Sequence, residues 1–297
     1  MRLRLSLPAI YRPLALISSV RPGPTSLEVG RWEAGMWSAV MPKKIVDLSV
    51  PLSNDIPADP PSMRPQIEYS GHIEGAAELV GLFPGLRAQD LPDGEGPAIE
   101  KLILTTHNGT HLDAPWHFHS TMDGGKRAIT IDEVPLEWCI QPGVKLDLCH
   151  LPDGSVCSAK DIEKALDVIG HKLKPLEIVL IQTAAGEAFG NLDYIDRGCG
   201  MGREATLYLL ERGVRIAGTD GWSWDAPFSA TRKRFAESLD ASLIWEGHKV
   251  GREVGYCHLE KLTNLHELPN SGFTVICLPI KVERGSAGWT RAVALID

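Results

Sequence analysis

At 297 residues the chain is long enough to bury a substantial core and short enough to form one large domain. Hydrophobic residues at 43% and charged residues at 23% are ordinary for a globular protein. The net charge of −8 opposes nucleic acid or an anionic membrane as a partner, since both would repel the chain.

Residues 1–42 come first in chain order. "MRLRLSLPAIYRPLALISSVRPGP" sets basic residues before apolar ones, as targeting segments do. Pro8, Arg12 and Pro13 interrupt it, however, and leave only "LALISSV" as an apolar centre. Met41 directly precedes "PKKIVDLSVPL", where ordered-looking sequence begins. The expectation is a flexible N-terminal extension over 1–42, or an upstream start codon, followed by a domain over 43–297. No apolar run reaches the roughly 18 residues a membrane span needs. Six cysteines (Cys139, Cys149, Cys157, Cys199, Cys257, Cys277) form no Cys-x-x-Cys pair and read as mostly buried, reduced thiols of a cytoplasmic protein.

Short apolar runs rich in β-branched residues predict buried strands at 44–50, 101–106, 144–148, 178–183, 214–219 and 273–280. Between them, "SAKDIEKALDVIG" predicts a helix opened by Ser158 with Asp161 three residues on and stopped at Gly170. "REATLYLLERGV" predicts a second helix ending at Gly213, and a third is expected over roughly 233–246. Residues 54–98 are rich in proline, glycine and acids and predict a long excursion from the sheet, of the kind that covers a site. The order indicates an α/β single domain with a mixed β-sheet flanked by helices, not a regular barrel. "GCGMG" at 198–202 lacks the Lys-Ser/Thr of a phosphate loop and reads as a flexible turn; no Gly-x-Ser-x-Gly elbow occurs.

The chemistry concentrates in "THNGTHLDAPWHF", Thr106 to Phe118. Gly109 and Pro115 oppose a helix through it. In an extended chain His111 and Asp113 project to one side, and a turn at Asn108–Gly109 folds His107 toward them. Two imidazoles and a carboxylate make a first shell for a divalent ion, and the two oxygens of Asp113 can bridge two ions. His117 lies where it can face the same cavity and move a proton. His119 has no such argument.

"HNGTHLDAPWH" resembles the His-x-Gly-Thr-His-x-Asp-x-Pro-x-His signature of the metal-dependent cyclase-like hydrolases, the family of bacterial kynurenine formamidase and isatin hydrolase. The opening "DLSVPL", the "GTD" at 218–220 and His248 followed twelve residues later by Glu260 extend the resemblance over residues 43–297. The resemblance implies a swivelling β/β/α-like cyclase fold. It implies metal ligation by His107, His111 and Asp113, with His248 and Glu260 completing the site or holding a second ion, and His117 as proton carrier. His258, two residues before Glu260, competes as a ligand on the same strand face. The resemblance further implies one or two zinc or manganese ions per subunit, and a homo-oligomer, dimer or tetramer, acting on a small molecule.

An ion held there would activate water to attack an amide, cyclic amide or lactone carbonyl. Trp222 and Trp224 either offer rings for a planar substrate or are ordinary core or interface tryptophans. A dehydratase or cyclase using the same site, or a protein that keeps the metal only as a fold staple, are the alternatives.

Overall fold

The computed structural model describes residues 42–297, so the extension expected over 1–42 lies, apart from Pro42, outside the described residues. The strands are β1 (Lys44–Asp47), β2 (Gln66–Ser70), β3 (Ile99–Ile103), β4 (His111–Asp113), β5 (Thr121–Met122), β6 (Lys126–Arg127), β7 (Ile140–Asp147), β8 (Val156–Cys157), β9 (Ile178–Gln182), β10 (Gly200–Met201), β11 (Ile216–Thr219), β12 (Cys257–Glu260), β13 (Ser271–Ile276), β14 (Ala287–Trp289) and β15 (Val293–Ile296). The helices are α1 (His72–Leu82), α2 (Pro115–Phe118), α3 (Ala159–Ile169), α4 (Arg203–Glu211) and α5 (Phe228–Ser238).

Nine strands form one mixed sheet in the order β1-β15-β13-β7-β9-β11-β12-β4-β14. Its centre, β7-β9-β11-β12, is parallel, and the strands on either side pair antiparallel. The unbroken apolar run of β9 follows from burial on both faces. Ile178 and Leu180 pack with Val46, Leu259 and Phe273 on one side. Val179 and Ile181 pack with Ile162 of α3, Leu209 of α4 and Trp224 on the other. The α3 ends match their signals: Ser158 and Asp161 close a capping box, with Ser158 N donating to Asp161 Oδ2 at 2.8 Å, and Gly170 stops the helix at φ 63°.

Four expectations change. The run at 101–106 belongs to β3, which lies outside the main sheet, pairs only with β2 and is exposed throughout. The third helix runs over 228–238, not 233–246. It starts after extended Pro227, whose carbonyl accepts from Thr231 N, and left-handed Leu239 and Trp245 prevent its continuation. The 54–98 segment is no plain loop, since it carries β2 and α1. Within it Gly75 and Gly96 let backbones touch, because a Cβ at Gly75 would stand 1.9 Å from the Pro97 carbonyl oxygen. "GCGMG" contributes β10, a short parallel partner of β8, instead of a free turn. Among the six cysteines five are buried, Cys149 is exposed, and none forms a disulfide.

Asp220, at the end of β11, ties that strand to β9. Its buried carboxylate accepts from Thr183 N at 3.0 Å and Thr183 Oγ1 at 2.7 Å. Burial pushes the carboxyl up to about 7 against the opposing pull of those hydrogen bonds. A folded value above the unfolded one contributes stability below about pH 4 that is lost as pH rises through 7. The melting temperature of wild type relative to Asp220→Asn is therefore expected to fall between pH 4 and 7 and then level off. A constant difference across that range would show that Asp220 does not titrate there.

Candidate metal centre

The site is built on the register of two neighbouring antiparallel strands. In β4 and β12, His111 pairs with Glu260 and Asp113 with His258. Side chains two apart in a strand share a face, so all four point the same way. Leu112 and Leu259, between them, enter the core on the other face. His258 Nε2 lies 3.2 Å from Asp113 Oδ2 and 3.2 Å from Glu260 Oε1. His111 Nε2 lies 3.3 Å from Asp113 Oδ1 and 3.6 Å from Glu260 Oε2.

Three further imidazoles arrive from outside the strands. The turn before β4 needs Gly109, which adopts φ 60° with the Leu52 side chain 2.8 Å from where a Cβ would stand. That turn brings His107 Nδ1 within 2.9 Å of Asp113 Oδ1, while its Nε2 meets Ser286 Oγ at 3.0 Å. The single turn of α2, with Pro115 at its start, sets His117 Nε2 3.7 Å from Asp113 Oδ2. A 3-10 turn over His248–Arg252 sets His248 Nε2 3.8 Å from Glu260 Oε1.

All six residues singled out from the sequence thus converge, and His258 joins them. Six of the seven fall into two groups of donor atoms, each with every atom within 4.8 Å of the others: Asp113, His248, His258 and Glu260, and His107, Asp113 and His117; His111 belongs to neither. Asp113 is common to both. Both of its oxygens and His111 Nε2 are buried without a hydrogen-bond partner, so the imidazoles surround the carboxylate without satisfying it. A buried carboxylate left in that state is costly, and a cation among nitrogen and oxygen donors is what removes the cost.

The supporting contacts orient ring nitrogens inward. His111 Nδ1 donates to the Gly109 carbonyl at 2.9 Å, which leaves the lone pair on Nε2 toward the carboxylates. His248 Nδ1 pairs with Asp225 Oδ2, and that buried carboxylate also accepts from Gly247 N at 2.8 Å. His258 lies between the rings of Trp224 and Phe118, at 5.4 and 4.9 Å between centroids. Glu260 Oε1 accepts from Trp224 N at 2.8 Å.

Burial raises the Asp113 carboxyl, but the imidazoles of His111, His107 and His258 around it outweigh that and hold it well below the usual range. Burial likewise disfavours charge on His258, yet Asp113 and Glu260 raise it to about 9. Burial lowers His117 to about 4, against the pull of Asp113, so its imidazole is neutral around pH 7.

The centre is open at His107 and His117, whose side chains are 23% and 22% exposed. Trp245 stands beside them, its ring 4.7 Å from that of His248 and nearly parallel, and 5.3 Å from His117. It holds φ 56°, a left-handed conformation rare for so bulky a residue. Trp224 does not serve as an open ring, and Trp222 is partly buried. Trp224 is buried with Nε1 donating to Thr206 Oγ1, and Trp222 Nε1 donates to Asp59. His119 is an exposed bystander bonded to Thr121. Sequence reading gave Asp225, Trp245 and Ser286 no role, and none of the three carries a local signal. His258 did carry one, the alternation of "HLE".

The family model described as "Putative cyclase" matches residues 46–226. Kynurenine formamidase of Bacillus thuringiensis (strain Al Hakam) is 25% identical over 252 residues, spanning 84% of this chain and 95% of that protein. Isatin hydrolase of Roseibium aggregatum is 27% identical over 215 residues, spanning 69% of this chain and 78% of that protein. Among solved structures, isatin hydrolase A from Ralstonia solanacearum aligns with a TM-score of 0.68 at 21% identity, covering 94% of this chain and 100% of that one, a likeness of fold alone.

Proposed function

Because this chain belongs to the Cyclase family, whose model matches more than half of it, we propose that it is a metal-dependent hydrolase opening a non-peptide C–N bond, or a lactone, in a small planar substrate. The observation that carries this reading is Asp113, buried with both oxygens unpartnered and five imidazoles turned toward it and its neighbour Glu260. His107, His111 and Asp113, together with His248, His258 and Glu260, would hold a divalent ion. When bound, such an ion, zinc or manganese in one or two copies, supplies Lewis acidity toward a carbonyl oxygen and toward water.

The chain's own residues do the rest. His117, neutral and at the open side, accepts a proton at Nε2 from the attacking water and returns it to the leaving nitrogen or oxygen. Asp225 holds the His248 ring so that its Nε2 faces Glu260. Trp245 gives the opening an aromatic wall that suits a planar substrate. The names of the two relatives direct the choice of test compounds toward aryl formamides and isatin. A homo-oligomer, dimer or tetramer, in the cytoplasm belongs to the same reading. Among the described residues no helix is long and apolar enough to cross a membrane.

Elemental analysis of the purified protein, followed by assays on aryl formamides, isatin and small lactones, tests the proposal. Metal with turnover of at least one compound is expected. Bound metal with no turnover of any would favour a site kept only to staple the fold.

A further inference from the structure

We propose that Asp59, in the 54–98 segment, is a positioning residue that braces the two ligand-bearing segments of the metal centre against each other; this rests on the metal-centre reading above. Asp59 is 4% exposed and touches none of the donor atoms assigned to an ion. Its carboxylate accepts from Lys261 Nζ at 2.5 Å, Trp222 Nε1 at 2.9 Å and Asn108 Nδ2 at 2.9 Å. Each partner lies beside a part of the site. Asn108 directly follows His107, Lys261 directly follows Glu260, and Trp222 lies two residues before Trp224, whose backbone N–H binds Glu260.

The links continue past the carboxylate. Lys261, 2% exposed, also donates from Nζ to the carbonyl oxygen of His107 at 2.9 Å. Its own carbonyl accepts from Thr110 Oγ1 at 2.7 Å, within the same turn that carries His107 and His111. Asn108, 1% exposed, accepts at Oδ1 from Thr105 N at 2.8 Å and donates to the Met63 carbonyl at 2.7 Å. Lys261 holds φ 57°, a left-handed backbone that costs energy in a residue with a Cβ. The backbone of the residue following a ligand is thus fixed in a strained conformation by a network centred on Asp59.

A buried ion pair adds little stability over well-packed apolar groups, so its consequence here is geometric. It sets the spacing between the His107 turn and the end of β12. Contacts that orient ligands from behind are each worth about 10- to 100-fold in metal affinity.

Cobalt(II) is the probe, titrated into metal-depleted protein against a competing chelator, with the visible d–d absorption recorded. Asp59→Asn is expected to bind cobalt about 10- to 100-fold more weakly than wild type, with a changed d–d spectrum. Trp222→Phe removes one hydrogen bond and leaves the ion pair whole, so it keeps the test available if Asp59→Asn does not fold. It is expected to weaken cobalt by at least about threefold. Wild-type affinity and spectrum in the folded variants would overturn the brace, even if their melting temperatures fell, because a purely structural contact lowers stability without altering coordination. A wild type that takes up no cobalt would remove the metal-centre reading and the brace with it. Wild-type binding with unaltered variants removes the brace alone.

Discussion

Asp113→Ala is expected to purify without bound metal and to lose at least about 10³-fold in kcat/KM on any substrate the wild type turns over. The size of the effect follows from its place in both donor groups. Asp113 lies 2.9 Å from His107 and 3.2 Å from His258, one in each group, so its loss dismantles both groups at once. Asp113→Asn, which keeps the volume but offers one acceptor oxygen and places an N–H₂ against an imidazole, is expected to fail nearly as badly.

Full metal content in Asp113→Ala, measured by elemental analysis, would show the ligand assignment to be wrong.

The second large effect is expected at His117. His117→Ala retains metal and loses about 10²- to 10⁴-fold in kcat, the range for removal of a positioned general base, with KM little changed. The His117 imidazole stands at the open side, and its Nε2 lies farther from Asp113 than that of His258. Added imidazole is expected to restore part of the lost rate by entering the space left by the ring. The alternative is concrete, because His117 also forms a donor group with His107 and Asp113. If His117→Ala loses metal as Asp113→Ala does, His117 is a ligand and the proton passes through another group.

Much of this protein is legible in local sequence because the relevant physics is local. The "IVLIQT" run reads as a doubly buried strand from its apolar continuity, and α3 from its capping box and terminal glycine. The "HNGTHLDAPWH" stretch contains its own turn glycine, its own two-residue alternation and its own helix-starting proline, so His107, His111, Asp113 and His117 could be placed without knowing any neighbour.

Tertiary structure alone decided what lies opposite. The pairing of β4 with β12 makes His258 and Glu260 cross-strand neighbours of Asp113 and His111, and strand order leaves no trace in the periodicity of either segment. The same limit hid Asp225 behind His248 and Asp59 beneath Lys261, since a lone acid in sequence looks the same whether water or a buried cation faces it. It also put β3 outside the core despite its apolar residues, because apolar composition favours a strand but does not choose its partner. Local alternation determined which side chains share a face; only the order of the strands determined what that face meets.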